Sequence, residues 1–181
     1  MPVLTEREKE LLAPLISPYE ESAKTDEQKS PQEGESDRSA FEDLIHDAAN
    51  NSKPTHRYAE LTPEETDQLR REGRCPEKCF LWVIDETSIK IIREKTPNPA
   101  RTLKQEYVCH TNLTGWGKAF AGGELFFGRA GEVYINPFSD RYGGERLFHG
   151  KRWPTVVRYF RRVGYKNLVD IIELLAAESE S

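Results

Sequence analysis

The sequence contains few cysteines, a single methionine and no long apolar run. Three cysteines in 181 residues are an odd number, which does not fit the paired disulfide framework of small secreted domains. No segment approaches the roughly 18 apolar residues of a membrane helix, and the first residues lack the basic and apolar regions of a signal peptide. We therefore expect a soluble protein of the reducing cytoplasm, with no membrane partner.

Charge is distributed unevenly along the chain. Residues 1–50 contain 13 acidic and 5 basic side chains, whereas the remainder contains 18 acidic and 21 basic ones. Residues 18–37 have almost no apolar side chains to bury, so they cannot offset the entropy that is lost on ordering. We predict an acidic, largely disordered arm with short helices over residues 1–50. An α+β domain over residues 51–181, with its core at 79–165, is predicted to follow.

Local sequence patterns predict the elements of this domain. Segments rich in β-forming residues, separated by turn residues, predict an antiparallel sheet of about five strands with flanking helices. The predicted strands are residues 79–84, 88–93, 103–111, 121–127 and 131–136. Capping signals predict helices after Thr5, over 39–50, over 63–72 and from Pro154 onward. Residues 166–177 fit either an edge strand or a helix.

Polar residues and glycines are concentrated between residues 109 and 124. Residues 109–118 read CHTNLTGWGK, and residues 121–124 read AGGE. A glycine-rich turn after a strand exposes backbone N–H groups beside polar side chains, which suits an anion or a sugar phosphate. The spacing matches neither a P-loop nor a dinucleotide-binding fingerprint. A plain hairpin with polar turn residues is the alternative interpretation.

A second polar segment, YINPFSDRYGG, covers residues 134–144. Tyr134 and Asn136 share one face of a strand because side chains alternate along it. The residues just past that strand end are expected beside the first segment if the strands pair antiparallel. The predicted catalytic residues are His110, Glu124, Arg141 and Tyr142, and the predicted substrate-binding residues are Thr111, Asn112, Thr114, Gly115, Lys118, Gly122, Gly123, Asn136 and Ser139.

Four short motifs occur in a recognisable order: LWVID at 81–85, HTNLTG at 110–115, AGGE at 121–124 and SDRY at 139–142. This order resembles the C-terminal domain of plant IQ-motif calmodulin-binding proteins and of related microbial, effector-like proteins. The family pattern is His-Ser-Ser, a glycine-rich turn, Ala-Gly-Glu and Ser-Gly-His-Tyr, and the resemblance covers about residues 79–165. Asp140-Arg141 replaces Gly-His, so a two-histidine mechanism does not carry over. The chain shows no IQ motif, and calmodulin is therefore not implied as a partner.

The leading functional hypothesis is a metal-independent, nuclease-like or nucleotide-processing enzyme. His110, with an ordinary pKa of about 6.5, would be the general base toward a 2′-hydroxyl of RNA. Arg141, together with Arg129 or Lys118, would hold the phosphate by charge-assisted hydrogen bonds. Tyr142 or Thr111 would orient the phosphate or donate a proton. Small toxin nucleases use comparable residue types, which is an argument from analogy.

Two other functions stay open. His110-Thr111, a tyrosine on a strand and Glu124 loosely match the residue types of enzymes that handle ADP-ribose or NAD, although their spacing is shorter than the usual pattern. The same segments fit a non-catalytic module that binds a protein or an anion. Zinc binding would need Cys75 and Cys79 together with Cys109 and His110. Neighbouring residues of a strand point to opposite faces, so that set is a poor zinc site. We predict no metal and no cofactor.

Residues 141–166 form a basic segment with eight lysines and arginines and one glutamate. Aromatic residues are interleaved with these cations, which suits stacking on single-stranded RNA. An acidic protein partner bound through the basic C-terminal helix is also predicted. Alternatively, the aromatic rings pack inward while the arginines stay in solvent, and the acidic N-terminal arm folds over the segment.

Overall fold

The fold is described by a computed structural model that covers residues 2–18, 31, 34–50, 59–96 and 107–180. Its strands are β1 (His46–Asp47), β2 (Phe80–Ile84), β3 (Ile89–Arg93), β4 (Ala121–Phe127), β5 (Val133–Asn136) and β6 (Leu168–Asp170). Its α-helices are α1 (Glu6–Leu12), α2 (Pro63–Glu72), α3 (His110–Thr114), α4 (Arg152–Arg162) and α5 (Ile171–Ser179). Short 3-10 helices cover Ser39–Leu44, Ala48–Asn50, Pro76–Lys78 and Glu145–Phe148. Among the described helices, none combines the length and the apolar character that crossing a bilayer requires.

The six strands form one mixed sheet in the order β1-β3-β2-β4-β5-β6. All neighbours are antiparallel except β5 and β6, which are parallel. The parallel pair arises because helix α4 carries the chain back between β5 and β6, as a crossover must. The predicted α+β class is confirmed. The prediction of about five antiparallel strands is corrected to a six-stranded mixed sheet.

The predicted strand at 103–111 is wrong in its described part. Residues 107–109 are irregular, and His110 begins helix α3. The Asn112 side chain accepts a hydrogen bond from the backbone N–H of Cys109 at 2.9 Å, and Gly115 ends the helix with a φ of 62°. This side-chain-to-backbone bond gives the chain an alternative to a sheet ladder. Residues 103–106 lie outside the described residues.

Capping signals located some of the other elements correctly. Thr62 and Glu65 form the capping box of α2, and Gly73 ends that helix with a φ of 80°. Residues 166–177 contain both predicted alternatives, because β6 ends at Asp170, whose side chain caps α5. The helix predicted over 39–50 is wrong, since β1 separates two 3-10 helices there. The disorder predicted for 18–37 falls mostly outside the described residues, and 34–36 form a turn.

Helices cover both faces of the sheet, which explains why all five residues of β2 are buried. On one face, the Trp82 ring packs edge-on against Phe160 of α4, with the ring centroids 5.2 Å apart. On the other face, Leu81 belongs to a cluster that includes Leu69 of α2 and Leu113 of α3. Leu81 on this second face and Glu94, just after the end of β3, line a cleft.

Candidate functional site

A cleft of about 480 Å³ lies where the ends of β2 and β3 meet the first residue of α3 and the loop after β5. Its wall carries three carboxyl groups, two guanidinium groups and an imidazole, together with three apolar side chains. The polar lining residues are Arg74, Glu94, Cys109, His110, Glu124, Ser139, Asp140 and Arg141, and the apolar ones are Leu81, Val108 and Phe138. Four residues proposed from the sequence, His110, Glu124, Ser139 and Arg141, are therefore brought to one cleft.

Glu124 is a buried carboxylate held by a bidentate ion pair. Only 3% of the residue is exposed. Arg74 donates from Nε to Oε1 at 3.2 Å and from Nη2 to Oε2 at 2.6 Å. A charge removed from water needs a partner and further hydrogen bonds, and the fork of the guanidinium matches the two carboxylate oxygens.

The remaining partners of Glu124 come from β5, from β2 and from the residue just before β2. The Cys79 thiol, just before β2, donates to Oε2 at 3.2 Å. Asn136, directly opposite on β5, donates to Oε1 at 3.1 Å and accepts from the Glu124 backbone N–H at 3.0 Å. The Trp82 indole donates to the Glu124 carbonyl oxygen at 3.0 Å. The network fixes the position of the carboxylate on the sheet.

Glu94 is the carboxyl group of the cleft whose pKa is shifted upward. Burial raises the pKa of Glu94 above 4.5, and repulsion from the nearby Glu124 raises it further, while Arg74 and Cys79 act in the opposite direction. One carboxylate oxygen of Glu94, one of Glu124 and the sulfur of Cys79 all lie within 4.8 Å of one another. One carboxyl of the pair is therefore tied into an ion pair, and the other holds its proton more tightly than usual.

His110 is the first residue of α3, and its ring is held by the backbone of β4. Its Nε2 lies 2.8 Å from the carbonyl oxygen of Gly123. Because a carbonyl only accepts, Nε2 carries the proton and Nδ1 carries the lone pair. The pKa of His110 is lowered from 6.5 to about 4; burial is the largest cause and Arg141 adds to it, whereas the Gly123 bond, Glu124 and Asp140 act in the opposite direction. This lowered pKa departs from the 6.5 expected from the sequence and favours the neutral imidazole at pH 7.

Arg141 reaches the cleft from the loop after β5 and contacts two groups outside that loop. It forms an ion pair with Glu35, and its guanidinium carbon lies 6.0 Å from the centre of the Trp116 ring. Trp116 has a φ of 68°, a conformation that is strained for a residue with a side chain. The cleft therefore has a cationic group held between an aromatic ring and a carboxylate.

Tyr142, predicted to be catalytic, has no surface in the cleft. It is fully buried, and its hydroxyl donates to the Gly117 carbonyl oxygen at 2.6 Å and lies 2.9 Å from Thr114 Oγ1. Asn112 donates to the backbone of residues 34 and 37, and Lys118 is exposed. The other predicted binding residues outside the lining set are Thr111, Thr114, Gly115, Gly122, Gly123 and Asn136.

The sequence reasoning missed Arg74 and Glu94. Each looks like an ordinary surface charge in the sequence. Arg74 follows Gly73, which caps the C-terminus of α2, and Glu94 follows the last residue of β3. One signal was present for Glu94: in the β2–β3 hairpin it lies opposite Cys79, whose carbonyl accepts its backbone N–H at 3.0 Å. Arg74 had no such signal, because its contact with Glu124 spans 50 residues.

Cys79, Glu94 and Glu124 form a three-residue group with the spacing of metal ligands. Their present partners do not fit a metal ion. Both oxygens of Glu124 accept hydrogen bonds from Arg74, and burial raises the pKa of Cys79 well above 9.0, so that its thiol keeps its proton. Zinc would require the thiolate. Cys75, the other cysteine of the CxxxC pair, faces Glu65 instead, at 3.5 Å.

The basic segment at 141–166 makes several of its contacts within the chain. Arg162 pairs with both carboxylate oxygens of Glu8 at 2.8 Å, and Arg152 donates to the carbonyl oxygen of Ala13 at 3.1 Å. Trp153 and Phe160 are buried in the core. The acidic N-terminal region thus reaches the segment at Glu8, as it does at Glu35. Binding of RNA or of an acidic protein there stays a prediction.

Comparison with known proteins finds no match: no family model, no curated protein and no solved structure is similar to this chain. The resemblance to the domain of IQ-motif proteins therefore stays a prediction.

Proposed function

We propose that the chain is a metal-independent hydrolase of a small nucleotide-type substrate, with Glu94 as the proton donor at a glycosidic bond. The observation that carries this proposal is the carboxyl pair in the cleft. Glu94 and Glu124 lie within 4.8 Å, yet only Glu124 has a bidentate cationic partner. Two neighbouring carboxyl groups in unlike environments are the usual basis of acid–base assignments, and of glycosidic hydrolysis in particular.

The raised pKa of Glu94 makes it the carboxyl group of the pair that holds its proton more tightly, and therefore the proposed proton donor. In the proposed step, Glu94 gives its proton to the leaving base as the bond from the base to ribose breaks. Water adds to the sugar carbon, and the proton that water loses returns to Glu94. Glu124 would supply a fixed negative charge, partly balanced by Arg74, beside the positive charge that develops on the sugar.

His110 supports binding in this proposal rather than acting as the general base. With a pKa of about 4 it is a weak base, which disfavours the cleavage of RNA through His110. Its neutral ring suits a hydrogen bond to a sugar hydroxyl. Ser139, which also lines the cleft, offers a second hydroxyl partner.

The size and lining of the cleft support a small nucleotide-type substrate. A volume of about 480 Å³ lies within the range of roughly 300–1,000 Å³ that is typical of small-molecule sites. Leu81, Val108 and Phe138 provide an apolar wall for a planar base, whereas Arg141 provides a charge for an anionic end. Cleavage of ADP-ribose or NAD falls within this class.

A non-catalytic anion-binding module is the second candidate, because Arg141 already holds a carboxylate from Glu35. Such a module would bind nucleotides and leave them intact. Turnover therefore separates the two functions.

We expect the wild-type protein to release the free base from AMP or NAD, and Glu94→Gln to lower that rate about 100-fold or more. Product release is measured by liquid chromatography, with an RNA oligonucleotide as a further substrate. Glu86→Gln, the same change at an exposed glutamate, serves as the matched control and should keep full activity. Equal activity of Glu94→Gln and wild type, or no release of base from any nucleotide, would overturn the proposal.

The folded state of Glu94→Gln is verified by its thermal unfolding. Because the pKa of Glu94 is raised above 4.5, ionisation favours the unfolded chain, and the stability that Glu94 contributes falls as pH rises from 4.5 through the folded pKa. Glutamine removes that effect. We expect Glu94→Gln at pH 7 to melt no lower than wild type, so that a lost activity reports on chemistry rather than on unfolding.

A further inference from the structure

Glu35 is a buried carboxylate in a segment that has little else to bury. Its side chain is 7% exposed and pairs with Arg141, whose side chain is 15% exposed. Carboxylates are rarely buried unless they are paired. The segment around Glu35 is a turn rather than part of the sheet or of a long helix, so its burial depends on what this one side chain contacts.

The polypeptide around Glu35 is held in place by Asn112. The Asn112 amide donates to the carbonyl oxygens of Gly34 at 2.7 Å and Asp37 at 3.1 Å, while its oxygen accepts from the backbone N–H of Cys109. Asn112, which is predicted from the sequence to bind substrate, thus binds the chain's own N-terminal arm. Its two bonds bracket Glu35 in the sequence, and the Glu35 side chain reaches Arg141, which lines the cleft.

We propose that Arg141 and Trp116 form the subsite for an anionic group of the ligand, a phosphate or a carboxylate, and that Glu35 occupies this subsite as an internal competitor. Arg141 lines the cleft, and a guanidinium binds a carboxylate or a phosphate with the same donor fork. The Trp116 ring at 6.0 Å is placed to stabilise the cation. The inference relies on the proposed function only for the assumption that the cleft binds a ligand.

The competition follows from the shared partner. An anion that takes the Arg141 donor now bonded to Glu35 displaces that carboxylate, and its apparent affinity is reduced by the fraction of molecules in which Glu35 is bound. A neutral residue at position 35 would weaken the internal contact by the strength of one charge-assisted hydrogen bond. The expected gain in anion affinity is about 10-fold or more.

Inorganic phosphate is the probe, and its dissociation constant is measured by NMR titration of the full chain. Glu35→Gln should bind phosphate about 10-fold more tightly than wild type. Glu42→Gln is the matched control, since Glu42 lies in the same arm, is 61% exposed at its side chain and pairs with Arg38. In the Glu35→Gln background, Arg141→Gln should remove the gain. Equal phosphate affinity in wild type, Glu35→Gln and Glu42→Gln would overturn the proposal, as would no binding to any of them.

A second measurement uses the wild-type protein and does not depend on how the variant folds. Saturating phosphate should accelerate amide hydrogen exchange at Asp37 and Arg38, whose N–H groups bond within the turn, because the turn then loses one of its two anchors, the Glu35 ion pair, and keeps only the Asn112 bonds. Unchanged exchange at saturation would contradict the displacement. Both measurements are made without turnover, so an absence of nucleotide hydrolysis would refute the proposed function and leave this subsite standing.

Discussion

Arg74→Met is expected to lower the free energy of unfolding by about 3 kcal/mol, because it leaves the Glu124 carboxylate buried without its counter-charge. The side chain of Glu124 is 4% exposed, whereas that of Arg74 is 45% exposed. The cost therefore arises from the carboxylate rather than from lost burial of the arginine. Urea unfolding followed by tryptophan fluorescence measures the loss.

Two further variants separate this electrostatic effect from loss of packing. Arg71→Met, at an exposed position of α2, should change stability by no more than about 0.5 kcal/mol. Adding Glu124→Gln to Arg74→Met should recover at least about 1 kcal/mol, because the uncompensated charge is then gone. If Arg74→Met were as stable as wild type, the ion pair would not be what holds Glu124 in the sheet.

Gly123→Ala is expected to cost about 4 kcal/mol or to prevent folding, because the added methyl group has no space. A Cβ at position 123 would lie 1.9 Å from the Asn136 carbonyl oxygen and 2.7 Å from the Trp82 ring. The Asn136 carbonyl oxygen belongs to the backbone of β5, so it cannot rotate away as a side chain could. The β4–β5 pairing that brings Asn136 to Glu124 would be forced apart.

Gly131→Ala provides the graded control for Gly123→Ala. No atom lies within 4 Å of a Cβ built at Gly131, whose φ is 84°, so the cost there is only the left-handed conformation, about 1–2 kcal/mol. Unfolding curves of both variants give the comparison. Equal losses at the two positions would show that the close approach of β5 and Trp82 at Gly123 is not the constraint.

Much of the fold could be predicted because its signals are local. The capping box of Thr62 and Glu65 and the apolar run at 80–84 each depend on neighbours within a few residues. The strand expected at 103–111 failed for the opposite reason. Tyr107, Val108 and Cys109 have β-forming side chains. However, the backbone N–H of Cys109 donates to the Asn112 side chain, and this bond starts a helix there. Whether the helix cap at Asn112 or the β-propensity of residues 107–109 prevails depends on the three-dimensional contacts of these residues, which composition does not specify.

The candidate site was predictable where its residues carry unusual sequence patterns and not where they are common surface types. His110, Glu124 and Arg141 come from polar motifs that the sequence marks clearly, and all three line the cleft. Arg74 and Glu94 come from the ends of a helix and a strand, where charged residues are ordinary. The low pKa of His110 results from burial, which depends on the packing of the whole domain.

Two carboxyl groups share one cleft, and in the proposed reaction Glu94 carries the exchangeable proton. The most direct measurement is a carbon NMR titration of the Glu94 carboxyl group in wild type and in Glu124→Gln. We expect the pKa of Glu94 to lie above 4.5 in wild type and to fall in Glu124→Gln, because the neighbouring negative charge is removed. A Glu94 carboxyl that titrates at or below 4.5, and does not respond to position 124, would contradict this proposal.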